Sequence, residues 1–129
     1  MPSRHADWMA QAERDLEVAQ RNAAEGYFEW SCFASHQAAE KAIKAVYQHL
    51  GGDARGHDLD GLLSGLADRV QIPEDLPAKV SELGKHYIAP RYPNAHAGGA
   101  PFQHYTRDEA QRAVEHAEEV IRFCRGHLA

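Results

Sequence analysis

At 129 residues and 14.4 kDa the chain carries one domain's worth of sequence, residues 1–129, enough to bury a core without disulfide or metal staples. Its 14 basic and 19 acidic side chains leave a net charge of -5, which excludes the broad basic face of a duplex binder and confines any nucleic-acid contact to a local cluster such as Arg91, Lys85 and the histidines. Cys32 and Cys124 fall on apolar stripes rather than in a disulfide framework. The N-terminal stretch lacks a signal peptide's apolar core, and no run approaches the roughly 20 apolar residues of a membrane span, so a cytoplasmic protein with no membrane partner is expected.

In chain order, Trp8, Ala12, Leu16, Ala19 and Ala23 recur at steps of three and four, predicting a helix from about Asp7 to Glu25 that stops at Gly26. Within it, Arg14 and Asp15 read as a solvated flank. A longer helix from about Tyr27 to Leu50 keeps the same period through Phe28, Cys32, Phe33, Ala39, Ile43, Val46, Tyr47 and Leu50, and Gly51-Gly52 closes it. Its alanines at 34, 38, 39, 42 and 45 let another helix approach closely. With only a turn between them, these two helices should form an antiparallel hairpin. Asp58 reads as the N-cap of a short third helix whose apolar face is Leu59, Leu62, Leu63 and Leu66. A fourth helix from about Leu76, bearing Val80, Leu83 and Tyr87, is expected to run until Pro90 ends it. The last opens at Thr106, three residues before Glu109 in a capping-box spacing, and carries Ala110, Ala113, Val114, Ala117, Val120, Ile121, Cys124 and Leu128. The fold class is therefore all-α, an antiparallel bundle of four to five helices.

Between the last two helices lies the longest stretch without helical period, Arg91 to Tyr105, broken by Pro93, Gly98-Gly99 and Pro101. Long loops in compact domains tend to carry function. This one opens with Arg91-Tyr92-Pro93-Asn94-Ala95-His96. A guanidinium stays charged at any working pH and grips phosphate oxygens in a planar fork, and an imidazole gives or takes a proton near neutrality. Those are the two groups that metal-free cleavage of a phosphodiester needs.

Other polar residues admit plainer readings. His36 and Glu40 stand one turn apart, as metal ligands on a helix can, but the paired Glu-x-x-His helices of a di-metal bundle are absent and polar pairing in the core or an interface fits better, so no metal is expected. His57, Asp58 and Asp60 invite a metal too, and capping of the third helix accounts for them more simply. His86 and His104 flank the candidate site in sequence. Among Trp30, Tyr87, Tyr92, Phe102 and Tyr105, which as aromatics can stack on bases or fill a core, Tyr92 is the one placed as a neighbour of the site.

Five stretches, taken together and in this order, resemble the HEPN family of small helical domains linked to nucleotides and RNA cleavage. They are Arg14-Asp15-Leu16, the run from Cys32 to Ala45 (CFASHQAAEKAIKA), His57-Asp58-Leu59, Tyr87-Ile88-Ala89-Pro90-Arg91-Tyr92-Pro93, and Tyr105-Thr106 ahead of an alanine-rich last helix. The run in the second helix is the most specific of them. Active members of that family are ribonucleases whose motif is an arginine followed after four to six residues by a histidine, and Arg91 with His96 fits the four-residue form. The resemblance implies a homodimer whose two motifs meet in one cleft, a minimal nucleotidyltransferase acting as antitoxin, and a chemistry without metal or other cofactor in which a ribose 2'-hydroxyl attacks the adjacent phosphorus. Carried onto this chain, the resemblance implies a proton-transfer role for His96, neutralisation of the phosphorane by Arg91, orientation of phosphate or imidazole by Asn94, and a substrate contact at Tyr92. Two positions depart from the pattern. Many toxin members carry a tyrosine two places after the histidine that the antitoxin modifies with AMP, and here that place is Gly98. The residue after the arginine is often acidic or an amide in strongly active members, and here Tyr92-Pro93 follows. Two classes of function stay open: a metal-independent endoribonuclease acting on RNA, or a catalytically silent helical module that dimerises, docks a nucleotidyltransferase and contributes a nucleotide-binding surface.

Overall fold

The computed structural model describes residues 3–129, and all its regular structure is helical: α1 (His5–Glu25), α2 (Phe28–His49), α3 (Leu59–Ser64), α4 (Leu76–Gly84) and α5 (Arg107–Arg125), with two single 3-10 turns, Pro93–Ala95 and Pro101–Gln103, between α4 and α5. Helix α2 is the axis of the bundle. From Ser31 to Val46 it is buried nearly all the way round, mostly through small or apolar side chains with His36, Glu40 and Lys44 among them, and a helix of that kind is stable only when other helices cover it. The alanines bring α1 and α5 against it, and α3 and α4 close the remaining side.

The α1–α2 hairpin turns at Gly26, whose φ of 89° lies in the left-handed region that a side chain resists. Tyr27 N–H then reaches back to the Asn22 carbonyl at 2.9 Å and satisfies the open end of α1. Two polar contacts fix the register of the hairpin. Ser31, fully buried, donates its hydroxyl to the Ala19 carbonyl at 2.8 Å, and Lys41 pairs with Asp15 across the helices. Asp15 is thus an inter-helix partner and not the solvated flank its sequence suggests, whereas Arg14 stays exposed beside Glu17.

The core gathers Ile43 and Val46 of α2, Leu59, Leu63 and Leu66 from the α3 segment, Leu76, Val80 and Leu83 of α4, and Ala117, Val120 and Ile121 of α5. Tyr47 donates its hydroxyl to the Leu62 carbonyl at 2.7 Å, and α3 passes over that hydroxyl at Gly65, where a Cβ would lie 2.2 Å from it. Asp58 caps α3 by accepting the Gly61 N–H at 3.2 Å. Thr106 and Glu109 close the reciprocal box at the start of α5. Thr106→Ala is expected to destabilise the protein by about 1 kcal/mol, read as a lower denaturant midpoint at unchanged slope.

Helix α4 departs from expectation at its C-terminal end. It stops at Gly84 and not at Pro90, because from Lys85 the backbone switches to i→i−3 bonds, Lys85 N–H to Glu82 and His86 N–H to Leu83. Glycine disfavours further α turns, and the tighter turns that follow carry the chain around to Arg91.

Both cysteines are buried in the core. Burial, with Glu109 adding to it, pushes the Cys32 thiol up to about 12, and burial alone raises Cys124 as well. Neither thiol should be alkylated at pH 8 in the native protein, and both should react once denaturant is added; mass spectrometry before and after unfolding reads the difference.

Candidate active site

The turns after α4 carry the arginine that the sequence singles out. Arg91 N–H bonds the Ile88 carbonyl at 3.0 Å just beyond buried Pro90, and Arg91 Nε donates to the Tyr87 carbonyl at 2.7 Å. The guanidinium carbon then sits 4.4 Å from the Phe33 ring centre, 4.7 Å from Tyr87 and 5.2 Å from Tyr92. Three aromatic rings therefore hold the plane, and among the described residues no carboxylate pairs with it and no protein group takes its terminal nitrogens. An arginine so braced, with its fork unoccupied, is prepared for an anion that approaches edge-on.

His96 follows the first 3-10 turn. Its Nε2 lies 2.7 Å from the Ala89 carbonyl. A carbonyl only accepts, so Nε2 carries the hydrogen and Nδ1 keeps the lone pair. The ring stacks on His104 with centres 4.4 Å apart and planes 4° from parallel, and meets Tyr105 edge-on at 6.4 Å. His104 in turn donates from Nε2 to the Gly98 carbonyl. Burial depresses the nearby His86 imidazole, whose Nδ1 is 3.5 Å from the Tyr105 hydroxyl. The loop is thus laced by its own polar groups, and Arg91 and His96 hang from carbonyls two residues apart in one turn.

The remaining predicted residues lie at the rim. Tyr92 is 48% exposed with one face on Arg91. Asn94 is exposed in the Pro93–Ala95 turn, and its amide makes no protein hydrogen bond among the described residues.

Sequence reasoning missed what stands behind the arginine. The ring of Tyr87 is shared: His57 stacks on it at 4.5 Å and 19°, and His36 lies against it at 5.1 Å. His57 Nδ1 is 2.8 Å from Glu40 Oε1, and Lys44 Nζ is 3.2 Å from Glu40 Oε2, with Trp8 beneath the ammonium at 5.8 Å. Glu40 therefore pairs with His57 and Lys44 and not with His36, its neighbour one turn away. Buried His36 is pushed down to about 4 by burial, against the opposing pull of the Glu40 carboxylate. His57 does not cap α3; Asp58 does so alone. Among the described residues no three His, Cys, Asp or Glu side chains converge as metal ligands. The signal for this cluster was present in His36, Glu40 and His57, but only the folding of the 50–58 loop back over α2 pairs the last two.

The family model described as the HEPN domain matches residues 5–127. The chain belongs to the HEPN family. Three solved structures share its fold: TT1696 of Thermus thermophilus (TM-score 0.95, 40% identity, 98% of this chain and 100% of that one), the archaeal HEPN homologue ST0689 (0.83, 36%, 99% and 100%) and a HEPN domain protein of Thermotoga maritima (0.77, 41%, 93% and 95%). A curated relative from Methanocaldococcus jannaschii, named "Putative toxin MJ1304", is 29% identical over 130 residues, covering 94% of this chain and 86% of its own length. The all-α HEPN architecture read from the sequence is the observed one. No helix among the described residues is long and apolar enough to cross a membrane.

Proposed function

We propose that this HEPN protein is a metal-independent endoribonuclease, the toxin of a toxin–antitoxin pair, cutting RNA in a cleft that two subunits build from Arg91 and His96. The observation that carries the reading is the unpaired, aromatically braced guanidinium of Arg91 tied to the same turn as His96. In that arrangement Arg91 bridges the non-bridging oxygens of a phosphodiester, where charge grows as the 2'-oxygen adds to phosphorus, and His96 exchanges a proton through Nδ1. Tyr92 offers an exposed ring for a base, and the Asn94 amide reaches phosphate or imidazole from the rim. The toxin named among the relatives supports the biological setting, with a minimal nucleotidyltransferase as the partner that holds the protein in check. Support for a second subunit comes from the apolar margin of the site: Trp30, Ile88 and Tyr92 are each nearly half exposed, a surface that another copy covers well.

Expressing wild type and His96→Ala in a bacterium, and incubating each purified protein with single-stranded RNA and a chelator, tests the reading. Wild type should arrest growth and release fragments ending in a 2',3'-cyclic phosphate; the variant should do neither. Wild-type protein that is dimeric and folded yet leaves both growth and RNA untouched removes the nuclease reading and leaves a docking module.

A further inference from the structure

Cleavage by a 2'-hydroxyl needs two proton transfers at once, one from the attacking oxygen and one to the leaving oxygen, on opposite sides of phosphorus. Arginine keeps its proton, so Arg91 and His96 give each protomer a single group able to do this, and the second comes either from the other copy's His96 or from another residue of the same chain. Yet a second imidazole stands against the same aromatic ring as Arg91.

His57 presses on Tyr87 at 4.5 Å, and the Arg91 guanidinium carbon is 4.7 Å from that ring, so the two cannot be farther apart than these distances laid end to end. Behind His57 is Glu40, whose side chain is only 4% exposed while that of His57 is 48% exposed. A carboxylate accepts, so the 2.8 Å contact places the hydrogen of His57 on Nδ1 and leaves the lone pair on Nε2. Lys44 holds the other carboxylate oxygen, which fixes the orientation of Glu40. The result is a buried carboxylate, an oriented imidazole and an unoccupied nitrogen, the arrangement by which a carboxylate stabilises the imidazolium formed when its histidine takes a proton. Beside it opens a cleft of about 290 Å³ lined by His57, Asp58, Asp60, Ser81 and Lys85. There Ser81 donates its hydroxyl to Asp60 at 3.1 Å and Asp58 caps α3, which leaves the second carboxylate oxygen of each free to accept from a ribose hydroxyl, whereas the phosphate belongs with Arg91.

We propose that His57, oriented by Glu40 as its positioning residue, is a catalytic base of this site that takes the proton of the ribose 2'-hydroxyl. This rests on the endoribonuclease reading. As His57 Nε2 receives that proton, the 2'-oxygen bonds to phosphorus. The bond from phosphorus to the 5'-oxygen breaks with its electron pair on oxygen, and protonated His96 supplies the hydrogen that makes the 5'-hydroxyl. One proton has passed from His96 to His57, and solvent resets both.

The test uses the full chain, a short single-stranded RNA and a chelator. His57→Ala should cut about 100-fold more slowly or worse at a temperature where circular dichroism shows it fully folded, a check needed because it also leaves buried Glu40 short of a partner. The isosteric Glu40→Gln should lose about tenfold and also move the limb of the pH–rate profile that reports the base, whereas a merely structural loss scales the profile without moving it. An RNA with sulfur in place of the bridging 5'-oxygen, whose thiolate departs without a proton, should restore cleavage by His96→Ala and not by His57→Ala. If His96→Ala is dead while His57→Ala cuts at the wild-type rate with an unchanged profile, the base is another group and the nuclease reading stands alone. A wild type that cuts nothing removes both.

Discussion

Arg91→Lys should lower RNA cleavage nearly as far as Arg91→Ala, on the order of 10²- to 10³-fold in kcat, with a much smaller change in RNA affinity. Lysine keeps the charge but none of the features that position it here. The Nε donation to the Tyr87 carbonyl disappears, and a compact ammonium has no plane to lie among Phe33, Tyr87 and Tyr92. An interaction that strengthens as the phosphorane forms appears in kcat, whereas simple attraction to a polyanion appears in affinity. Single-turnover cleavage at saturating enzyme separates the two, with circular dichroism melts to confirm that both variants fold. A lysine variant working at near wild-type rate would show that charge alone suffices at this position and that the aromatic cradle is idle.

Stability should fall by about 3 kcal/mol between pH 6.5 and pH 4 through His36 alone. In the fold burial holds this imidazole down at about 4, whereas in the unfolded chain it titrates near its ordinary value of 6.5. As pH drops through that window the unfolded chain binds the proton first, so protonation draws the equilibrium toward unfolding; above pH 6.5 both states are neutral and the effect is gone. His86, also depressed by burial, adds in the same direction. Glu82 adds at lower pH still, because the Arg112 guanidinium beside it holds its carboxyl below the usual range. Urea melts at pH 7 and pH 4.5 on wild type and His36→Gln measure it. The variant should lose less stability on acidification, and equal losses would show that the native protein does not hold His36 neutral through this window.

The helices were legible because each advertises itself locally. Trp8 to Ala23, Leu59 to Leu66 and Ala110 to Cys124 repeat at helical steps, and Gly26, Asp58 and Thr106 are stop and start residues whose chemistry acts within one turn. The end of α4 was not, since Pro90 is a strong signal and the quieter shift to tight turns at Gly84 precedes it. The same contrast governs the site. Arg91, His96, Tyr92 and Asn94 fall in one short stretch and can be read together. Phe33 meets the arginine directly from α2, while His57 and Glu40 reach it only through Tyr87 and the fold of the 50–58 loop, and no local period encodes a contact across such separations. Asp15 and Lys41 illustrate it again, two ordinary surface-looking charges that meet only because α1 and α2 pack side by side.

The anchoring of Arg91 and His96 to the carbonyls of Tyr87 and Ala89 bears on how such a motif tolerates insertion. The gap between the two side chains is set by the peptide upstream of both, whose carbonyls at Tyr87 and Ala89 accept from them, more than by the residues strung between them. Pro93, Asn94 and Ala95 form one exposed 3-10 turn between the two moorings, and lengthening it by a residue or two would enlarge an outward bulge while both ends stayed moored. In this chain the spacing of Arg91 and His96 along the sequence matters less than the spacing of the two carbonyls that hold them.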